Sequence, residues 1–264
     1  MTRNAVLAMI IGLVLTIVMG IGGCEHTQEV LRPVLEGRAD DTLYSLDPEG
    51  EPVVYLTIDD GPSPMTDDIL DILEDHDATA TLFLHTGEIS SRRVLERAIN
   101  AGHNLGHHMP EDRDWSTATA ETFAAAFMAS HCLLAVFGEG YTGLFRPPRG
   151  SIDRDVMLPA LTRAGMEGSR AFVMASYVPW DAAGATEFGW ATGERLMARR
   201  YGEGLGNAVE PGDIVVFHDG PRRRRTVNTR RSLKVFLEIL ERRGLEAKAL
   251  PARGYDASAC ERPR

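Results

Sequence analysis

From Val53 onward, short apolar runs alternate with longer stretches whose apolar positions recur every three or four residues. "VVYLTI" (53–58) predicts a buried strand. "MTDDILDILEDH" (65–76) puts Ile69, Leu70, Ile72 and Leu73 on one helical face, with Ser63 or Thr66 able to cap its start. "ATATLFLH" (78–85) is the next strand and "SRRVLERAINAG" (91–102) the next helix, stopped by Gly102. "NLGHH" leads into a polar stretch, and a long helix is predicted around 119–137. "GLFRPPRG", "SRAFVMASYV" and "GDIVVFHDG" then read as strands, separated and followed by the helical "DRDVMLPALTRAG", "ERLMARRYGEG" and "TVNTRRSLKVFLEILERRG". This alternation predicts an α/β fold with parallel strands joined by helical crossovers. "TIDDGP", "FRPPRG" and "VVFHDG" each place charged residues directly after an apolar β-run. In parallel α/β folds the C-terminal strand ends form one rim, where active sites sit.

The N-terminus follows a different pattern. After Arg3, an uncharged apolar run extends from Ala5 to Gly23 and ends at Cys24. A basic start, an apolar stretch and small residues before a boundary suit an export signal, residues 1–23. "IGGC" resembles a bacterial lipobox, which would leave Cys24 as the lipid-bearing terminus. An uncleaved membrane span is the alternative, since the run is long enough. Either way the remainder lies outside the cytoplasm, because the positive end stays inside. Residues 24–50 read as a polar tether, 51–252 as the folded domain and 253–264 as a polar tail. Cys132 and Cys260 remain in the mature chain, and Cys132, inside a helical stretch, is expected as a buried free thiol.

The chain has 264 residues, 44% of them hydrophobic, and a net charge of -10. That is enough for one large domain, and the charge argues against nucleic acid as a partner. The dense basic run 221–231 reads as a solvated loop opening the last helix, with contact to an anionic glycan or lipid headgroup as the functional alternative.

Asp59 and Asp60 are the sharpest chemical signal. Regular strand geometry would point them to opposite faces, but Gly61-Pro62 ends the strand and lets both reach its mouth. Adjacent carboxylates repel unless one binds a cation, which suggests one ligand and one free base. His108 and Asp112, four residues apart, offer two more ligands, although His103 and His107 form a competing pair.

"TIDDGP", "GHNLGHH", "FRPPRG" and "GDIVVFHDG" occur in the order and at about the spacing of polysaccharide deacetylases with the NodB homology domain, carbohydrate esterase family 4. The resemblance runs from about Val53 to Pro251. It implies a distorted (β/α) barrel with fewer than eight strands, a divalent metal that is usually zinc, and removal of acetyl groups from a polysaccharide. It further implies Asp59 as general base, Asp60 and His108 as metal ligands and Arg146 as the residue orienting the base. His218 falls on the general acid, Asp181 on the acid that orients it, and the Arg149 backbone N–H on the oxyanion donor. Tyr177 and Trp180 would line the sugar site.

Two departures stand out. Asp112 replaces the second histidine of the family's H-x-x-x-H pair, which changes an Asp-His-His set to Asp-His-Asp and favours harder metals such as cobalt or manganese. Arg149 replaces an aromatic residue, which leaves a backbone role intact. The expected function is removal of acetyl groups, N-acetyl rather than O-acetyl, from an envelope or extracellular glycan. A silent glycan-binding lipoprotein and a hydrolase of other C–N or ester bonds are the alternatives.

Overall fold

The computed structural model describes residues 40–177, 191–219 and 223–260, with side chains from 198 and 229 onward in the last two helices. The export signal with Cys24, most of the tether, Trp180, Asp181 and Arg222 lie outside the described residues, as do the side chains of Arg223, Arg224 and Arg225.

The strands are β1 (Thr42–Leu43), β2 (Val53–Gly61), β3 (Thr81–Leu84), β4 (Asn104–His107), β5 (Tyr141–Phe145), β6 (Phe172–Val173), β7 (Ile214–His218) and β8 (Glu246–Lys248). The helices are α1 (Thr66–Asp75), α2 (Arg93–Asn100), α3 (Ala120–Ala135), α4 (Arg154–Arg163), α5 (Ala191–Ala208) and α6 (Arg223–Arg243). A parallel sheet runs β5-β4-β3-β2-β7, while β1 and β6 pair separately. The expected α/β fold holds, and among the described residues the sheet stays open instead of closing into a barrel.

β2 sits at the centre and is covered on both faces, which is why it reads as an unbroken apolar run. β7 pairs with one edge from Tyr55 to Asp59. β8 takes the first three residues of the other edge and β3 the last. Ile69, Leu70 and Leu73 of α1 pack into the largest core cluster with Leu56, Ile58 and Phe236. Each such side chain contributes about 1.5–3 kcal/mol by leaving water.

β4, which composition conceals, carries a glycine for a packing reason. A Cβ at Gly106 would lie 2.6 Å from Phe83 Cδ1, so a side chain there would collide with the neighbouring ring. The strand "SRAFVMASYV" shrinks to Phe172–Val173. Neither Ser63 nor Thr66 caps α1: the cap position is Met65, with no side-chain bond to the helix end.

Residues at both ends of the expected domain also make contacts with it. The Leu46 N–H donates to Gly212 O, and β1 pairs with β6, so residues from Asp41 onward already belong to the fold. At the other end, Cys132 is not a free thiol but is bonded to Cys260 across 128 residues. The Arg253 and Gly254 N–H groups donate to Thr142 O, so 253–260 is a strap against α3 and β5 and not a loose tail. Cys132→Ser/Cys260→Ser is expected to lower unfolding free energy by about 2–5 kcal/mol, given the long loop that the bond closes. Urea melts of oxidised and variant protein measure this.

Candidate metal centre and active site

The rim is built by register. Gly61 lies opposite Leu84, Leu84 opposite His107 and His107 opposite Phe145, so four adjacent strands end on one line. The residues just past β3, β4 and β5 are His85, His108 and Arg146. Across β2's other edge, Asp59 pairs with His218.

Asp60 joins this line through a bulge. Asp59 pairs with Phe83 and Gly61 with Leu84, so Asp60 is the extra residue, at φ 70°. One inserted residue breaks the two-residue alternation and lets both carboxylates face the mouth. The strand end was expected to achieve this through Gly61-Pro62; the turn at Asp60 itself does so.

Asp59 is held by Arg146, whose Nη1 donates to Asp59 Oδ1 at 2.6 Å and Thr57 Oγ1 at 2.7 Å. Its Nε donates to Val173 O and its Nη2 to Met174 O, at 3.1 and 2.9 Å, and the guanidinium lies 4.3 Å above the Phe83 ring. Thr57 and Asp59 are two apart on the strand and so share the face that Arg146 covers. Burial pulls the Arg146 pKa down, and Asp59 works against that pull. Breaking such a buried pair costs about 3–5 kcal/mol, because the remaining charge is stranded.

Asp60, His85 and His108 form a compact buried trio whose candidate ligand atoms all lie within 4.8 Å of one another. The His108 Nδ1 lies 2.7 Å from Arg146 O and the His85 Nδ1 3.4 Å from Met109 O. Those carbonyls only accept, so each ring carries its proton on Nδ1 and presents the Nε2 lone pair to Asp60 Oδ1, at 3.5 and 3.2 Å. The His85 Nε2 is buried with no hydrogen-bond partner. Lone pairs facing a carboxylate oxygen need a cation or added protons between them. The donor set, its fixed tautomers and the orphaned nitrogen fit a divalent metal such as zinc.

The trio differs from the expected ligand set in holding His85 and not Asp112. Asp112 is exposed on the rim loop, where its Oδ1 accepts from Arg149 Nε at 3.0 Å and its carbonyl from Arg149 Nη2. It stands outside the trio, which brings together one carboxylate and two imidazoles. His85 escaped notice although it obeys the rule that marked the others: a polar residue closing an apolar β-run.

The competing pair is structural. The His103 Nδ1 accepts from the Ala80 N–H, and burial lowers its pKa to about 4. His107 accepts from Met109 N–H, places Nε2 3.1 Å from Phe127 O, and is lowered to about 3 by complete burial. Tyr177 is 4% exposed, in the core, and its hydroxyl donates to Ala208 O. Arg149 sits at φ 60°, ψ 8°, and its backbone N–H has no acceptor among the described residues. Asp219, given no role above, is buried beside the site; burial and then Asp60's charge lift its carboxyl to about 6, against the Ser63 and Thr66 hydroxyls.

The family model for polysaccharide deacetylases matches residues 47–169. A chitooligosaccharide deacetylase of Bradyrhizobium sp. (strain ANU 289) is 30% identical over 217 residues, covering 78% of this chain and 92% of the relative. The chain belongs to the polysaccharide deacetylase family. Two solved structures show the same fold. A peptidoglycan N-acetylglucosamine deacetylase, 21% identical, matches at TM-score 0.65 over 80% of this chain and 91% of its own. The CE4 domain of a multidomain xylanase from the hindgut metagenome of Trinervitermes trinervoides, 22% identical, matches at 0.62 over 76% and 88%.

His85→Ala and His108→Ala are expected to weaken zinc binding by more than the roughly 10–100-fold that loss of an outer-shell partner costs. Asp112→Ala is expected to bind zinc like the parent chain. Competition against a chromophoric chelator reads all three, and the reverse ranking would return Asp112 to the ligand set.

Proposed function

We propose that this deacetylase is metal-dependent and acts on N-acetylated sugars of an envelope or extracellular polysaccharide. The observation that carries the reading is the division of labour between adjacent carboxylates: Asp59 paired with Arg146, and Asp60 facing two histidine lone pairs. Asp60, His85 and His108 would hold a divalent cation, which would supply Lewis-acid polarisation of the acetyl carbonyl. Arg146 occupies Asp59 Oδ1, leaving Oδ2 to accept a proton as water attacks the carbonyl carbon. The Arg149 backbone N–H donates to the oxygen that gains charge. His218, opposite Asp59 across the β2–β7 ladder, gives a proton to the nitrogen as the C–N bond breaks. The products are acetate and a free amine. Asp181 would orient His218, and Trp180 would meet the sugar.

The relatives' names support the substrate class: one acts on chitooligosaccharides, another on peptidoglycan N-acetylglucosamine. We further propose export and anchoring through a lipid on Cys24. The Cys132–Cys260 bond supports this, since such bonds persist in oxidising compartments.

The test is acetate release from N-acetylchitooligosaccharides, peptidoglycan and acetylxylan, with and without a chelator. Release from the first two, abolished by chelator and restored by zinc, is expected. Asp59→Asn is expected to lower kcat by about 100-fold or more. Glycan binding without acetate release would favour the silent alternative.

A further inference from the structure

Asp219 is only 1% exposed, and it grips both sides of the Asp60 bulge. On one side, its backbone N–H donates to Asp59 O at 2.7 Å. On the other, its carboxylate accepts from Ser63 Oγ and Thr66 Oγ1, both at 2.5 Å, beyond the Gly61-Pro62 turn. Those hydroxyls also organise the turn: Thr66 Oγ1 accepts from the Ser63 N–H and Ser63 Oγ from the Met65 N–H. The fit is close, since a Cβ at Gly61 would lie 3.0 Å from Asp219 Oδ2.

The geometry points to Asp219 as the positioning residue that holds Asp59 and Asp60 in their separate orientations. An aspartate in the left-handed region carries a modest strain that its surroundings offset. Here one side chain and its own N–H clamp the chain before and after the strained residue. Asp219 also follows His218 directly, so one residue levels acid against base. A neutral apolar side chain would fill the space but could not accept from two hydroxyls across the turn. The inference rests on the roles given above to Asp59, Asp60 and His218.

The test compares the zinc-loaded full chain with Asp219→Asn and with the double variant Ser63→Ala/Thr66→Ala. Zinc affinity is measured by chelator competition, and kcat and KM with fully N-acetylated chitopentaose. Both variants are expected to lose about tenfold or more in kcat, with KM within about threefold. Zinc affinity is expected to fall about fivefold or more, since the displaced ligand is Asp60. The triple variant should be no worse than Asp219→Asn, because the groups act as one unit. Lower melting temperature with kcat and zinc affinity intact would make Asp219 a buttress of the fold and overturn the proposal. Should Asp219→Asn fail to fold, the double variant decides in the same way. If the parent chain binds zinc but releases no acetate, the deacetylase reading falls, while the zinc affinities still decide the role of Asp219.

Discussion

Two buried carboxylates on consecutive residues repel, and the architecture of the rim follows from how that repulsion is relieved. Asp59 has a private counter-ion in Arg146, whose donors meet acceptors on β2 and on the segment through β6. Asp60 is turned away by the bulge, toward two imidazoles whose outer nitrogens are fixed by backbone carbonyls. The electrostatic problem is solved by separation: one acid beside a guanidinium, the other facing a cation site. Chemistry that needs a base next to a ligand follows directly.

Parallel register brings the first residue past β3 and the first past β4 beside Asp60. Asp112 joins Arg149, and the ion pair ties the loop after β4 to the loop after β5.

Much of this was legible from residue order. Apolar runs closed by charged residues marked β2, β5 and β7 and so located Asp59, Asp60, Arg146 and His218. β4 was hidden because "NLGH" has no β-branched residues; its strand character comes from pairing on both edges. His85 was hidden because attention followed spacing along the chain, whereas the partner nearest Asp60 is set by register across the sheet. Nothing local in the sequence reveals that the Tyr177 hydroxyl meets the Ala208 carbonyl. The Cys132–Cys260 pairing joins segments 128 residues apart, and no local pattern reports that approach.

The bare α-carbon at Gly106 reaches further than its own strand. A Cβ there would meet Phe83 Cδ1 at 2.6 Å, and the Arg146 guanidinium sits 4.3 Å from the centre of the same ring. Even a methyl group at 106 would tilt the aromatic floor and lift the cation that steadies Asp59. A glycine in β4 thereby bears on the position of Asp59 in β2.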